Sequence, residues 1–229
     1  MEKTVSPLHQ LVASLRETYI FIISGPSGAG KGSLLKVIRE IWGEYFGMPI
    51  SVTTRKPRPG EENGKDYYFV SREEFRQMVK RDKFAEWAEV HNNLYGTLRS
   101  ELDRIKESGK SVLLEINVKG RENLKANLPD GNIVDIFIAP PTIEVLKERI
   151  VGRAPISEEE LVTRLQTARE EMPHALSYRH VVVNDVQFVS EVLVSAIFNY
   201  YLSAREGDVV ELASELQRVE EESRKLILC

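Results

Sequence analysis

The sequence predicts an α/β fold: a central parallel sheet covered by helices on both faces, with one β-rich block inserted into it. Three observations carry this. Short apolar runs, Tyr19–Ile23, Ser111–Ile116 and Val134–Ala139, read as strands buried on both faces. Helical patterns alternate with them, and βαβ alternation implies parallel pairing. Between the first run and the helical pattern Leu34–Ile41 lies a glycine-rich loop, Ser24-Gly25-Pro26-Ser27-Gly28-Ala29-Gly30-Lys31-Gly32-Ser33.

Strand, glycine-rich loop and helix in that order are the setting of a phosphate-binding P-loop. Glycines 25, 28 and 30 let successive N–H groups turn inward. The helix start adds unpaired N–H groups and a partial positive charge, and Lys31 adds a full one. Gly25 through Ser33 are therefore candidate contacts of a nucleoside triphosphate: Gly25, Pro26, Ser27, Gly28, Ala29, Gly30, Lys31, Gly32 and Ser33. The usual pattern places Ser or Thr directly after the lysine to meet Mg²⁺. Here Gly32 stands there and the hydroxyl follows at Ser33. Gly-Lys-Gly-Ser resembles the variant of small nucleotide kinases, which implies magnesium held more through water.

The remaining elements follow in order. Residues 1–18 form an extension with Leu8, Leu11, Val12 and Leu15 at helical spacing. Ile50–Arg55 reads as a short strand ending in a basic loop, Arg55-Lys56-Pro57-Arg58-Pro59-Gly60, and Tyr67–Val70 as another strand. Ser71-Arg72-Glu73-Glu74 is a capping box opening a helix through Val79. Phe84–Val90 alternates as a strand, Asn92-Asn93 is a turn, and Leu94–Thr97 follows. Ser100–Ser108 is helical with Gly109 as its stop. Beyond Val134–Ala139, Pro140-Pro141-Thr142 starts a helix over 143–151, and 152–160 is loop-like. A long helix spans 158–171 and ends near Pro173; His180–Asp185 is a last strand, and 187–205 a closing helix. The segment 206–229 reads as an appended acidic helix.

Composition bounds the functional classes. The chain has 229 residues, 42% hydrophobic and 29% charged, as expected of a globular α/β domain with an inserted subdomain. A net charge of −4 argues against a general nucleic-acid binder. The single cysteine, Cys229, excludes an internal disulfide and a cysteine zinc site. No apolar run approaches a membrane span, so no membrane partner and a cytoplasmic location are expected.

Two groups in the β-rich block bear on chemistry. Arg55 and Arg58 sit three apart in a Pro-Gly loop and can fork onto a phosphate, with the hydroxyls of Tyr67 and Tyr95 completing its oxygens. Singly these read as surface charge and ordinary strand residues; together, beside a P-loop, they suggest a second anion site. Glu86 lies between Phe84 and Trp87 in an apolar segment, so its carboxylate needs a donor partner. Guanine offers two adjacent donors that one carboxylate can accept, with Ser51 and Thr97 as hydroxyl partners. A structural arginine is the competing partner. Arg149 and Arg153 flank Val151-Gly152 at a helix end beside a polar loop, where arginines brought in by a closing lid can stabilise phosphoryl transfer.

The run Ser51-Val52-Thr53-Thr54-Arg55-Lys56-Pro57-Arg58-Pro59-Gly60-Glu61-Glu62-Asn63-Gly64-Lys65-Asp66-Tyr67-Tyr68-Phe69-Val70 closely resembles the guanylate kinase signature. So do Glu86-Trp87-Ala88, Tyr95-Gly96-Thr97, Leu114-Glu115-Ile116 and Ile138-Ala139-Pro140-Pro141, in order over 19–205. The resemblance implies a P-loop three-layer fold with a core (19–49 and 99–205), a GMP-binding insert (about 50–98) and a mobile lid (about 149–165). It implies transfer of the γ-phosphate of ATP to GMP, and to dGMP, with Mg²⁺ and without a covalent intermediate, in a monomer or homodimer. It assigns GMP to Ser51, Arg55, Arg58, Tyr67, Glu86, Tyr95, Thr97, Glu115 and Asn117. Arg149 and Asn184 join the loop on ATP, Asn184 near the adenine and ribose. Lys31, Arg58, Arg153 and Arg164 become the catalytic charges, and Ser33 with Glu115, at the end of the central strand, the magnesium contacts. Asn117 departs from the family, which usually has an acid there. Two alternatives remain open: a non-catalytic module that binds a phosphorylated partner in the GMP site, and a kinase for another nucleoside monophosphate. A switch GTPase is excluded, since its Asn-Lys-x-Asp is absent.

Overall fold

The structure, a computed structural model, describes residues 18–90, 92–129, 131–153 and 155–202. The expected terminal helices and Cys229 lie outside the described residues. The chain divides into two compact units. The first takes the described residues up to Ile22 with Glu44–Ile133, and the second takes Ile23–Gly43 with the described residues from Val134 on.

The larger sheet has the order β2-β7-β1-β8-β9, with β1 at Ile20–Ser24, β2 at Phe46–Gly47, β7 at Ser111–Glu115, β8 at Ile133–Ala139 and β9 at His180–Val183. β2 pairs parallel with β7, and β8 with β9. All five residues of β1 are buried, as the continuous apolar run requires of a middle strand. β7 is second in the order, so Glu115 ends the strand beside the middle one rather than the middle strand itself. β2 was not evident in the sequence. Two residues leave no period to read, and it is held through pairing and through Phe21, whose ring meets Phe46 edge-on at 5.2 Å.

In the first unit a second, four-stranded sheet has the order β4-β3-β6-β5. Its strands are β3 (Val52–Thr53), β4 (Tyr68–Phe69), β5 (Phe84–Val90) and β6 (Asn93–Leu98). β3 is shorter than the 50–55 run suggested, because Pro57 and Pro59 follow and the chain leaves the sheet at once. Asn92, at φ 61, makes the β5–β6 turn. Helix α2 (Arg72–Lys80) starts with the expected capping box: the Ser71 hydroxyl accepts from Glu74 N–H, and the Glu74 carboxylate accepts from Ser71 N–H. Its Phe75 stacks on Phe84 at 4.5 Å and packs with Val52 and Leu94. Helix α3 (Arg99–Glu107) stops before Gly109, which sits at φ 74.

Helix α4 (Val118–Asn127) was not read from the sequence. Its apolar stripe is thin, with only Val118 and Leu124 as buried apolar side chains. It is held at both ends by side-chain hydrogen bonds instead. Asn117 Oδ1 accepts from Gly120 N–H (2.8 Å) as its N-cap. Asn123 and Asn127 donate to the carbonyls of Trp87 (2.8 Å) and Ala85 (2.9 Å). β5 is an edge strand, and these amides occupy carbonyls its edge would otherwise present.

The second unit carries α1 (Lys31–Trp42), α5 (Ile143–Arg153), α6 (Glu158–Glu171), a 3₁₀ turn over Met172–Ser177 and α7 (Gln187–Leu202). The loop between α5 and α6 is shorter than the expected 152–160, since α5 runs to Arg153 and the Ser157 hydroxyl caps α6 by accepting from Glu160 N–H. Among the described residues no helix is long and apolar enough to cross a membrane.

Candidate active site

In the second unit the loop Gly25–Lys31 joins β1 to α1. Gly25 has φ +143, and a Cβ there would sit 2.1 Å from the Ile138 carbonyl oxygen, so the loop can leave the strand at this point only as glycine. Gly30 is the N-cap of α1 at φ 94 and brings no side-chain cap, and the first turn holds no acidic residue. At this helix start, then, neither a side-chain cap nor a first-turn carboxylate competes with an anion. A Cβ on Gly30 would lie 2.2 Å from Asn184 Nδ2. That amide donates to the Ala29 carbonyl at 2.7 Å, while Asn184 N–H donates to Ala139 at 2.7 Å. Asn184 thus ties the loop to the end of β8. It is 4% exposed, and its Oδ1 is buried with no hydrogen-bond partner among the described residues.

Lys31 Nζ donates to the carbonyls of Gly25 (2.6 Å) and Pro26 (3.1 Å), lying along the loop. Ser33 and Gly32 are exposed on the first turn of α1, and a Cβ on Gly32 would meet nothing within 4 Å. Arg149 Nη1 donates to the Asn184 carbonyl (2.8 Å) and Nη2 to that of Asp185 (3.3 Å), so this arginine reaches the same corner. Arg164 pairs with Glu160 at 2.6 Å on its own helix, and Arg153 stands exposed at the end of α5. Among the described residues neither makes a hydrogen bond or ion pair to the loop. Glu171 was not singled out in the sequence; burial raises its carboxyl pKa, and the Lys31 charge opposes the rise.

In the first unit the β-rich block holds the other group. The β5–β6 register slips between Phe84 and Glu86, a bulge past which Glu86 stands opposite Thr97. Glu86 is 4% exposed, and its partner is the Thr97 hydroxyl, which donates to Oε1 at 2.6 Å; among the described residues it is not paired to an arginine. Burial pushes its carboxyl up to about 7, against the pull of the Thr97 hydrogen bonds. A Cβ on Gly120 would lie 2.9 Å from Glu86 Oε2 and 3.2 Å from Asn117 Oδ1. Glu86, Thr97 and Asn117 thus meet at the first turn of α4, and Gly120 is the clearance they need. Nothing in the sequence around Gly120 marked it.

Arg55 is half-buried, with its guanidinium 5.3 Å from the Tyr67 ring centre, and Tyr67 meets Tyr95 edge-on at 6.1 Å. Arg58 is exposed on the loop, Ser51 is half-buried with its carbonyl accepting from Tyr68 N–H (2.9 Å), and Glu115 is exposed at the end of β7. The unit therefore presents a buried carboxylate at one place and an arginine–tyrosine cluster at another, the two chemistries a purine monophosphate asks for.

The guanylate kinase family model matches residues 17–197. A guanylate kinase of Clostridium perfringens strain 13 is 44% identical over 166 residues, 72% of this chain and 76% of that protein. One of Bacillus anthracis is 44% identical over 170 residues, 74% of this chain and 82% of that protein. The crystal structure of guanylate kinase from Anaplasma phagocytophilum superposes with a TM-score of 0.64 at 32% identity, covering 86% of this chain and 94% of that one.

Proposed function

The chain belongs to the guanylate kinase family, and on that premise we propose how its residues move a phosphoryl group from ATP to GMP. The reaction gives ADP and GDP. Glu86 is the observation that carries the assignment of the acceptor. A buried carboxylate, aligned by Thr97, matches the paired ring N–H and amino donors of guanine, whereas adenine would set an acceptor against it. Ser51 and Thr97 complete the base contacts, with Glu115 and Asn117 beside them. The set addresses the ring rather than the sugar, and we extend the reading to dGMP.

The GMP phosphate falls to Arg55, Arg58, Tyr67 and Tyr95, which offer charged forks and hydroxyl donors. The ATP phosphates fall to the loop N–H groups and to Lys31, which exchanges the Gly25 and Pro26 carbonyls for phosphate oxygens. Asn184 and Arg149 lie on the adenosine side of that loop. Transfer needs no protein nucleophile: positioning and neutralisation of the charge spread over the moving group suffice. Lys31, Arg58, Arg153 and Arg164 supply that charge, the last two from the α5–α6 segment acting as a lid that also excludes water.

Mg²⁺ fits the donors the chain offers, one hydroxyl at Ser33 and one carboxylate at Glu115, since the ion takes few protein ligands and keeps several waters. When bound it draws charge from the phosphate oxygens. The test is ADP formation from ATP and Mg²⁺ with AMP, GMP, dGMP, CMP and UMP in turn, beside Lys31→Ala. Turnover with GMP and dGMP alone, lost in Lys31→Ala, is the expected result. Equal turnover with AMP or CMP would remove Glu86 from its role.

A further inference from the structure

Glu61 stands outside every assignment above. Arg58-Pro59-Gly60-Glu61 is a reverse turn: Glu61 N–H donates to the Arg58 carbonyl at 3.0 Å, and Gly60 sits at φ 88. Proline second and a left-handed glycine third are the residues a type II turn demands. The turn brings the Glu61 carboxylate back onto both arginines of the loop. Its Oε1 accepts from Arg55 Nη2 at 2.8 Å and its Oε2 from Arg55 Nη1 at 2.9 Å. Oε2 also accepts from the Arg58 backbone N–H at 2.7 Å. Arg55 Nη1 donates in addition to the Lys56 carbonyl at 2.8 Å. The pair is largely shielded, with side chains 15% and 18% exposed, and Tyr67 and Phe69 lie under the guanidinium at 5.3 and 5.8 Å.

A guanidinium has five N–H donors in a fixed plane. Three are committed by these contacts. The two left, Nε–H and the second Nη2–H, share one edge of the plane, and the guanidinium also has the Tyr95 hydroxyl, itself read as a phosphate contact, within hydrogen-bonding reach. We propose that Glu61 is a positioning residue for the acceptor phosphate: it holds Arg55 so that this single edge is presented, and it sets the Arg58 backbone in the same stroke. The inference rests on the reading of Arg55 and Arg58 as phosphate contacts. A carboxylate beside an anion site costs some attraction, and fixing a flexible arginine in its binding geometry offsets it. The Arg55 and Arg58 contacts hold the Glu61 carboxyl down to about 2, so it stays ionised wherever the enzyme is assayed.

The experiment measures GMP and guanosine binding by calorimetry in the full chain, with the KM of each nucleotide. The proteins are wild type, Glu61→Gln, Glu61→Ala, Arg55→Ala and the Arg55→Ala/Glu61→Ala double. Loss of a charge-assisted fork predicts GMP binding weaker by about 10- to 100-fold in Glu61→Ala and by less in Glu61→Gln. Guanosine affinity and the ATP KM should hold. Glu61→Ala should cost less in the Arg55→Ala background than alone. Glu61→Gln, of the same shape, carries the test if the alanine variant does not fold. GMP binding unchanged or tighter in the Glu61 variants would overturn the proposal, showing a carboxylate that merely fills the phosphate position. An equal loss for guanosine would overturn it too, as a general loosening of the block. A wild type that fails to bind GMP, or an Arg55→Ala that binds it normally, overturns the phosphate-site reading itself and the proposal with it.

Discussion

Replacing Glu86 by glutamine should make the protein more stable at neutral pH and worse at its reaction. The carboxyl is 4% exposed and rises from its ordinary 4.5 to about 7 because burial disfavours its charge. At about 1.4 kcal/mol per pH unit, that interval sets about 3 kcal/mol against the ionised form in the folded chain. The folded protein binds this proton more tightly than the unfolded one. Its stability is therefore whole below pH 4.5, falls between 4.5 and about 7, and stays lower above. Glutamine keeps the shape and the acceptor for Thr97, and has no charge to desolvate. Denaturant unfolding without nucleotide, at steps from pH 4.5 to 8, should show the Glu86→Gln curve gaining on wild type by about 3 kcal/mol across that window. The same variant sets an NH₂ against a guanine donor and should raise the GMP KM about 10- to 100-fold. In wild type, kcat/KM for GMP should rise with pH to about 7 as Glu86 ionises. Parallel stability curves together with an unchanged GMP KM would refute the argument.

Three further outcomes follow from the same geometry. Gly120→Ala places a methyl 2.9 Å from Glu86 Oε2, the movable end of a side chain; it should raise the GMP KM several-fold with little loss in melting temperature, and a normal KM would show that the clearance is not needed. Asn184→Ala removes the bond to the Ala29 carbonyl and should cost about 1–3 kcal/mol in unfolding free energy with a raised ATP KM and an unchanged GMP KM. Gly32→Ser meets no obstacle and improves helix propensity, so it should stabilise by up to about 1 kcal/mol; if Ser33 already serves the metal, the Mg²⁺ dependence of the rate should not move.

What the sequence made legible were the parts with a strong local period or a local motif. The β1 run, the Ser71 capping box and the α6 helix could be read because neighbours in sequence decide them. β2 and α4 could not. β2 is two residues long, and α4 is held by its asparagines on the edge of β5, contacts between residues 36 and 42 apart in the chain. The site divides the same way. Glu86 was conspicuous as a charge in an apolar segment, but the bulge that turns it to face Thr97 appears only in the pairing. Gly120 and Glu61 were missed because one acts by lacking a side chain and the other through a turn that folds it back on Arg55. Proline and glycine at 59 and 60 were the available signal for that turn, and a carboxylate directly after it was the clue to its purpose.

The most direct measurement of the central claim is kcat/KM with GMP against IMP in the wild type and in Glu86→Gln, at saturating ATP and Mg²⁺. IMP keeps the ring N–H and lacks the amino group, so it removes one of the two donors the carboxylate is proposed to accept. The account predicts that wild type prefers GMP by at least about tenfold, the worth of one such hydrogen bond to a charge. It predicts that the preference shrinks toward unity in Glu86→Gln. Equal use of GMP and IMP by the wild type, or a preference that survives the substitution intact, would contradict it.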